Sequence, residues 1–445
     1  MSSEGPVVLI APAAFKGTLS ALDVATAMRD FLRAQPELAK ASLRICPIAD
    51  GGDDTLSVLQ AVDPRYQRQQ CRVMGPLPGM TVLADYLVHA EQKLVLIEAA
   101  QAHGLKLYPP GKEYQPLQAT SYGVGELIRH AMETHHPDAV VVSLGGSAST
   151  DGGMGALQAL GFQFWNAQGQ CLPTPLGGGD LSTVARIDWP TPDSQYSACN
   201  DEANTGFSWR ALQIVTDVVN PLLGLEGSAA VYAPQKGASP EQCEQLEAGL
   251  RQLVSVMQQS CVWVSASFSE WSPVSKAVRP APSLSESNLA ELPGVGAAGG
   301  LAYGLRCLPR AEIVSGSAWV ASQLQLSQAV AESDLILTGE GCLDATSLSG
   351  KATGHLLRLA QERGKPVFCF CGQVRENWRE GASAIVHSLE ATRLSPFVYP
   401  LVSPEAPHAE QALQVQVAMA DPKAALWRAM AAAWPRLKSL LSALE

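Results

Sequence analysis

The sequence predicts an α/β protein built from two domains. Its 445 residues exceed the length that one ordinary hydrophobic core organises, because most domains contain about one to two hundred residues. Short apolar segments alternate with glycine turns and amphipathic helical patterns, which is typical of α/β folds. Apolar residues make up 47% of the chain and aromatic residues 6%, a composition in the globular range. A single large barrel is the alternative architecture.

Composition and charge argue against several classes of partner. The net charge is −11 and the Lys and Arg residues are scattered, which argues against binding to nucleic acid. No apolar run reaches the length of a membrane span, and the N-terminus lacks the basic and apolar regions of an export signal, so we expect a cytoplasmic protein. The 10 cysteines lie mostly in apolar stretches without metal-site spacing, and we interpret them as reduced thiols. Both a monomer and a homodimer are compatible with these features.

The N-terminal half begins with two units of strand, glycine turn and helix. Apolar strands are predicted over 6–12 and 43–49, and each runs into a glycine turn and a helical pattern. Residues 70–100 alternate in polarity and contain turns, which predicts an antiparallel meander. A helix over 125–134 and a buried strand over 138–146 follow, and this strand opens onto a glycine-rich turn.

The C-terminal half continues the alternation of strands and helices. Further strands are predicted over 211–218, 229–234, 334–339 and 366–372. Segments without a steady period predict long loops at 264–293, where Ser and Pro are frequent, and at 392–411. A closing amphipathic helix is predicted over 421–445.

Six segments at predicted strand ends or loops combine glycine with acidic, basic or hydroxyl side chains. They are AFKGTLS (14–20), ADGGDDT (49–55), GGSASTDGG (145–153), DVVNPLLG (217–224), PQKGA (234–238) and DLILTGEGCLDATSLSGKATG (334–354). The carboxyl ends of strands gather at one edge of an open α/β sheet, so we expect these segments to share one cleft. Any one of them alone could be a simple turn.

The residue types in these segments point to phosphoryl transfer. Glycine turns at helix N-termini present N–H donors to phosphate oxygens, and carboxylates beside such a phosphate imply Mg²⁺ between them. Lys16, Lys236 and Lys351 each adjoin a glycine, where an ammonium group can reach a transferred phosphoryl group. Asp50 and Asp151 precede paired glycines and could instead be helix N-caps or Asx turns. We therefore predict nucleotide-dependent phosphoryl transfer.

Other motifs do not support a different chemistry. GVGAAG (294–299) has the spacing of a dinucleotide fingerprint but follows a proline-containing loop instead of a strand. GCLDATSLSGKA (341–352) contains Gly-Lys but lacks the first glycine and the final Ser or Thr of a P-loop. No serine-hydrolase elbow is present. His103 and His130 are isolated along the chain, and we interpret both as structural or solvated residues.

Eight segments together form a recognisable set. They read APAAFKGTLSA (11–21), PIADGGDDT (47–55), TSYGVGELI (120–128), GGSASTDGG (145–153), VNPLLG (219–224), APQKGA (233–238), PGVGAAGGL (293–301) and TGEGCLDATSLSGK (338–351). In this order they resemble the signatures of the bacterial type I glycerate kinase family, over nearly the whole chain. The resemblance implies a kinase that uses ATP and Mg²⁺ to phosphorylate the small molecule D-glycerate, usually at the 2-hydroxyl to give 2-phosphoglycerate.

The resemblance also implies a domain organisation. One α/β domain is expected to be Rossmann-like, with a parallel sheet, and to be discontinuous over 1–65 and 292–445. A second, mixed α/β domain is expected to be inserted over 66–291. The active cleft is expected between these two domains.

The expected site residues have three kinds of role. Catalysis is assigned to Lys16, Asp50, Asp151 and Lys351, with Asp50 or Asp151 as the base for the substrate hydroxyl. Binding of substrate or nucleotide is assigned to Gly51, Gly52, Gly145, Gly146, Ser147, Asn220, Lys236, Gly296, Gly299 and Gly339. Binding of Mg²⁺ is assigned to Asp217, Glu340 and Asp344.

Departures from the family signatures bear on the substrate. Ala13-Ala14 and Asp53-Asp54 stand where Asp-Ser and Glu-Gly are usual. Cys342 occupies the usual arginine position, and a cysteine cannot provide a bidentate clamp for an anion. Insertions are expected near 190–212, 264–290 and 392–408. A kinase for another small hydroxy acid, or a non-catalytic nucleotide-binding regulator of the same fold, are the alternatives.

Overall fold

The computed structural model describes residues 5–109, 111–190, 211–260, 289–308, 310–344, 347, 351–375, 397–404 and 406–444. The strands of these residues are β1 (Val7–Ile10), β2 (Ser42–Ile45), β3 (Tyr66–Met74), β4 (Thr81–His89), β5 (Leu94–Glu98), β6 (Ala139–Ser143), β7 (Gln163–Trp165), β8 (Arg186–Asp188), β9 (Ala211–Val215), β10 (Ala311–Val314), β11 (Leu335–Leu343), β12 (Val367–Val374) and β13 (Phe397–Pro400). The α-helices are α1 (Ala21–Arg33), α2 (Thr55–Val62), α3 (Ala100–His103), α4 (Tyr122–His135), α5 (Met154–Ala159), α6 (Ser228–Tyr232), α7 (Pro240–Ser260), α8 (Leu301–Arg306), α9 (Gly316–Gln323), α10 (Leu326–Ala331), α11 (Ala352–Glu362), α12 (His408–Ala420) and α13 (Pro422–Leu444).

The internal contacts of the chain divide it into two compact units. The first unit comprises Met1–Asp50, Ser57–Pro64 and Gly316–Glu445, and the second comprises Gly51–Leu56 and Arg65–Ser315. The chain thus returns to the first unit after Ser315, whereas the resemblance implies that this boundary lies at 291–292. The two units are described separately below.

The sheet of the first unit is entirely parallel, in the order β13-β12-β11-β1-β2. Counted along the chain from the other edge, this is the order 2-1-3-4-5 of one common doubly wound fold. The connections run in opposite directions from the pair β1 and β11, which makes this pair the topological switch point. Residues 8–10 and 335–337 are fully buried, as expected for a parallel sheet with both faces covered.

Helices pack on this sheet, and the hydrophobic core of the unit lies between them and the strands. Met28 of α1 and Leu426 of α13 belong to one hydrophobic cluster with Ile10, Leu337 and Phe370 of the sheet. The helices α9, α10 and α11 pack against one another, and α11 also contacts β11. The predicted strands at the start of the chain, over 334–339 and over 366–372, are confirmed, and so is the closing helix.

The second unit contains a mixed sheet in the order β10-β9-β6-β5-β4-β3. The strands β10, β9, β6 and β5 run parallel, whereas β4 pairs antiparallel with both β5 and β3. The predicted meander over 70–100 is therefore confirmed. Val140 and Val142 of β6 pack with Leu127 and Ile128 of α4 in the core of this unit.

The predicted fold class, α/β with one parallel Rossmann-like sheet and one mixed sheet, is confirmed, but two predictions of single elements are wrong. The segment 229–234 lies largely in the helix α6 and is not a strand. Five helical residues are too few for their period to be read from the sequence, and alanine favours a helix. The segment 392–411 contains β13 and the start of α12. β13 is stabilised from a distance, because the rings of Phe397 and Phe368 lie 4.8 Å apart.

Several expectations concern residues outside the described ranges. The predicted loop over 264–293 is described only from residue 289 onward. Most residues of the expected insertions near 190–212, 264–290 and 392–408 also lie outside the described ranges. In the described ranges, none of the helices has both the length and the apolar character that crossing a bilayer requires.

Candidate active site

In the first unit, the turn after β1 and the end of β11 lie side by side at the switch point. The backbone N–H of Ala13 donates to the carbonyl oxygen of Gly339 at 2.8 Å. Gly341 lies against the backbone of the next turn, since a Cβ there would be 3.1 Å from the nitrogen of Lys16. The Lys16 side chain is exposed. The structure therefore brings two predicted site residues, Lys16 and Gly339, to one edge of the sheet.

Asp50 reaches the same edge from β2. The N–H groups of Cys46 and Ile48 donate to the carbonyl oxygens of Ile10 and Pro12, both at 2.9 Å. The chain therefore stays beside the extension of β1 beyond the end of β2. Asp50 follows two residues later and is partly exposed.

The end of β11 brings two carboxylates onto one serine hydroxyl. Ser347 Oγ donates to Glu340 Oε2 at 2.8 Å and lies 3.4 Å from Asp344 Oδ1. The Asp344 N–H donates to Ser347 Oγ, and the Ser347 N–H donates to Asp344 Oδ1, both at 3.1 Å. These reciprocal bonds fix the turn and keep the two carboxylates near each other.

Glu340 is half-buried, and its carboxylate is only partly satisfied within the described residues. Its Oε1 atom is buried and has no hydrogen-bond partner among the described residues. Burial raises the pKa of Glu340 to about 7, and the hydroxyls of Ser347 and Thr353 and the charge of Lys351 oppose this only in part. Lys351 itself is the partly buried N-cap residue of α11. An ionised carboxylate in such surroundings is stabilised by a bound cation.

In the second unit, a buried lysine lies among serines. Lys236 Nζ donates to Ser147 Oγ at 2.9 Å and to the carbonyl oxygen of Ser149, and Ser149 Oγ lies 3.1 Å from His103 Nδ1. Lys236 is only 4% exposed and takes part in none of the ion pairs of the described residues. Burial lowers its pKa to about 7, which the charge of Asp151 partly opposes. A buried cation without a paired carboxylate suits an anionic ligand.

Asp151 is fully buried and holds the start of α5. Its Oδ2 atom accepts hydrogen bonds from the backbone and side chain of Ser121, both at 2.7 Å, and from the Gly155 N–H at 3.2 Å. Its Oδ1 atom accepts from the Gly153 N–H at 3.3 Å. These bonds favour the ionised form, although burial raises the pKa of Asp151. Because both oxygens are engaged, the geometry favours the structural alternative, a turn and helix cap, over a catalytic base.

The glycine turn after β6 packs against the short segment of the second unit that contains residues 51–56. A Cβ at Gly145 would lie 3.0 Å from Gly52 Cα, and a Cβ at Gly146 would lie 2.8 Å from Asp53 Oδ1. Asp53 forms an ion pair with Lys106. The structure thus brings the predicted binding residues Gly145 and Gly146 against Gly52 and Asp53, and Gly51 directly precedes Gly52 in the chain.

The glycines at 296 and 299 allow two loops of the second unit to approach closely. A Cβ would overlap the carbonyl oxygen of Pro221 at Gly296 and that of Ser149 at Gly299. Gly299 also has a φ of +71°, which disfavours a side chain. The carbonyl oxygen of Asn220 accepts from the Gly296 N–H at 3.0 Å. These predicted binding residues therefore have structural contacts of their own, and a role in binding stays a prediction.

Comparison with known proteins identifies the family. The profile described as "Glycerate kinase family" matches residues 8–398. The chain belongs to the glycerate kinase family. It is 35% identical over 372 residues to the glycerate kinase of Haemophilus influenzae, covering 83% of this chain and 86% of that relative. It is 32% identical over 371 residues to the glycerate 2-kinase of Escherichia coli, with 83% and 86% covered. A crystal structure attributed to glycerate kinase 2 of Salmonella typhimurium LT2 matches with a TM-score of 0.66 and 30% identity, over 93% of this chain and 98% of that chain.

These similarities confirm the predicted family and the predicted enzyme class, a kinase. Membership of a kinase family implies the use of ATP. The crystal structure of the Salmonella protein supports the predicted α/β fold, because it matches nearly the full length of both chains.

The carboxylates at the end of β11 fit the Mg²⁺ expected of such a kinase. Mg²⁺ usually takes one or two carboxylates and completes its shell with water and substrate phosphates, and Glu340 and Asp344 converge on one point. Within the described residues, no group of three or more His, Cys, Asp or Glu side chains forms a metal cage. The third predicted ligand, Asp217, follows β9 in the second unit and accepts from Ser315 Oγ at 2.8 Å.

Sequence reasoning missed several polar residues of these glycerate kinase family sites. Ser347 lies three residues after Asp344, a spacing typical of side-chain-to-backbone turns, and this signal could have identified it. His103 is isolated only along the chain, because its partner Ser149 is 46 positions away in the sequence. Burial lowers the pKa of His103 to about 3, so its ring is neutral beside Lys236.

Proposed function

We propose that this protein transfers the terminal phosphoryl group of ATP to the 2-hydroxyl of D-glycerate, giving 2-phosphoglycerate and ADP. Membership of the glycerate kinase family supports the substrate. The name of the Escherichia coli relative, glycerate 2-kinase, supports the choice of hydroxyl.

One observation carries the proposal, the convergence of Glu340 and Asp344 on the Ser347 hydroxyl at the end of β11. Ligands of doubly wound folds bind outside the carboxyl ends of the strands at the switch point, and β11 forms the switch point with β1. The exposed Lys16 stands at the same edge. Acids and a lysine at this position suit a phosphoryl group and its counterion.

Glu340 and Asp344 would hold Mg²⁺. The ion, when bound, neutralises charge on the phosphates. The buried Oε1 of Glu340, which lacks a hydrogen-bond partner among the described residues, supports this assignment because a cation would compensate its burial.

The remaining roles follow from exposure and charge. Asp50 is the proposed base for the glycerate hydroxyl, because it is partly exposed at the edge of the sheet whereas both oxygens of Asp151 are engaged. Lys16 and Lys351 would stabilise negative charge on the transferred phosphoryl group, and Lys236 would bind an anionic group of a substrate. Loss of one such residue typically costs about 10²-fold or more in rate.

The test uses the purified protein with ATP, MgCl₂ and D-glycerate. We expect ADP release that depends on D-glycerate, and phosphorus NMR should show a phosphomonoester on the 2-hydroxyl. L-Glycerate serves as the control substrate, and Asp50→Asn and Glu340→Gln as the variants. ATP binding in calorimetry without acceptor-dependent ADP release would instead identify a non-catalytic nucleotide-binding regulator.

Cys342 favours a second candidate, a kinase for another small hydroxy acid. A cysteine in place of the usual arginine changes how an anionic group is bound at this edge. A panel of hydroxy acids assayed for ADP release separates the two candidates. D-Glycerate should give the highest kcat/KM if the first proposal is correct.

A further inference from the structure

Arg375, just after β12, lies beside the end of β11. β11 and β12 pair in parallel with Cys342 opposite Gln373. The Arg375 N–H then donates to the carbonyl oxygen of Leu343 at 3.0 Å, so the chain continues beside β11 as far as Arg375. Side chains two positions apart on a strand share a face. Arg375 therefore lies on the face that carries Gln373 and, across the pair, Cys342.

The electrostatics of Cys342 reflect this arrangement. Burial raises the pKa of the Cys342 thiol, the charge of Arg375 opposes the rise, and the carboxylates of Asp344 and Glu340 add to it. Arg375, Asp344 and Glu340 thus each act on the Cys342 thiol. Two of these groups, Glu340 and Asp344, are the proposed Mg²⁺ ligands.

The Arg375 head group is exposed and hydrogen-bonds the Cys342 thiol, which leaves further N–H donors for an incoming anion. The ion pairs formed within the described residues do not include Arg375. A guanidinium presents a planar pair of donors that matches a carboxylate or a phosphate. The usual arginine of the family signature is absent from β11, where Cys342 stands, while an arginine is present on the adjacent strand.

We propose that Arg375 binds an anionic oxygen group of a substrate, either a phosphate of ATP or the carboxylate of the hydroxy acid, and so takes over the role of an arginine at position 342. The inference rests on the proposed function for the identity of these ligands. It makes Arg375 a specificity-determining residue that the family signatures do not contain.

The test compares Arg375→Ala, Arg375→Lys and the double variant Arg375→Ala with Cys342→Arg. Arg428→Ala, which removes an exposed arginine of α13, is the matched control. KM values for ATP and for D-glycerate are measured separately, and ATP binding is measured by calorimetry. Arg375→Ala should raise one of the two KM values by about tenfold or more, since a charge-assisted bidentate contact is lost. Arg375→Lys should recover this only in part, and Cys342→Arg in the Arg375→Ala background should recover most of it.

The outcomes separate the possible ligands and the two proposals. A selective rise in the KM for ATP identifies a phosphate as the ligand, and a selective rise for D-glycerate identifies the carboxylate. Unchanged constants in Arg375→Ala, or equal losses for both substrates with a lowered melting temperature, would overturn the inference. If the wild-type protein phosphorylates no hydroxy acid, the proposed function fails. Calorimetry then tests the inference separately, because Arg375→Ala should still weaken ATP binding. Unchanged ATP binding in that case would overturn the inference as well. Alkylation of Cys342, followed by mass spectrometry, adds a readout without turnover, because the ligand bound by Arg375 should slow it.

Discussion

Replacing Glu340 with Gln removes a half-buried carboxylate while nearly conserving its size and shape. In the folded protein, burial holds the pKa of Glu340 at about 7, against 4.5 for an ordinary glutamate. Because the folded-state pKa is raised, the side chain has no destabilising effect below the ordinary value and destabilises the fold increasingly as the pH rises towards 7. At about 1.4 kcal/mol per pH unit, the full effect is at most about 3.5 kcal/mol, and partial exposure of the residue reduces it.

We therefore expect the stability advantage of Glu340→Gln over the wild type to grow by about 1–3 kcal/mol between pH 5 and pH 8.5, in the absence of nucleotide and metal. Urea unfolding at both pH values measures the change. Glu362→Gln, at an exposed glutamate of α11, is the matched control and should show no such growth. A Glu340→Gln advantage that does not vary with pH would refute the reasoning. In the same variant, turnover should fall by about 10²-fold or more.

Three further predictions concern the second unit. Burial lowers the pKa of Lys236 from 10.5 to about 7, so the wild type loses stability as the pH falls through this range. In urea unfolding, Lys236→Met should therefore become more stable relative to the wild type between pH 10 and pH 7. In calorimetry, the same variant should bind phosphate at least about tenfold more weakly. Asp151→Asn should cost about 2–4 kcal/mol of unfolding free energy, because four donors lose a charged acceptor, whereas an unchanged melting temperature with a lower kcat would support a catalytic role instead. Gly299→Ala should cost more than about 3 kcal/mol or prevent folding, because the new methyl group would overlap the Ser149 carbonyl; Gly224→Ala, where φ is +90° and no neighbouring atom lies within 4 Å, should cost only about 1–2 kcal/mol in thermal melting.

The elements with strong local patterns could be predicted from the sequence, and those stabilised by distant contacts could not. β11 begins with a continuous apolar run, and the antiparallel meander shows alternating polarity, and both are local signals of a strand. The strand β13 depends on Phe368 of another strand, and the short α6 has too few residues to show a helical period. The glycine-rich segments 14–20, 49–55 and 145–153 contain turns, as their composition predicts, but the glycines at 296 and 299 are required by backbone contacts with residues far along the chain.

The candidate site divides in the same way. The residue types of the glycine-rich segments indicate the chemistry, and the order of these segments along the chain indicates the family. The tertiary contacts alone show that Glu340 shares a hydroxyl with Asp344, that Asp151 is enclosed by four donors, and that a guanidinium from the end of β12 approaches Cys342.

The amino-acid sequence by itself determined the family, the α/β class and the set of loops that carry the acids, lysines and glycines. Only the tertiary structure decided which strands are neighbours and which charged groups are buried. The side chain of Asp334, for example, accepts a hydrogen bond from the Val7 N–H across 327 positions of the chain. A residue's period and type are local properties, whereas its pKa and its hydrogen-bond partners depend on groups that folding brings near from elsewhere in the sequence.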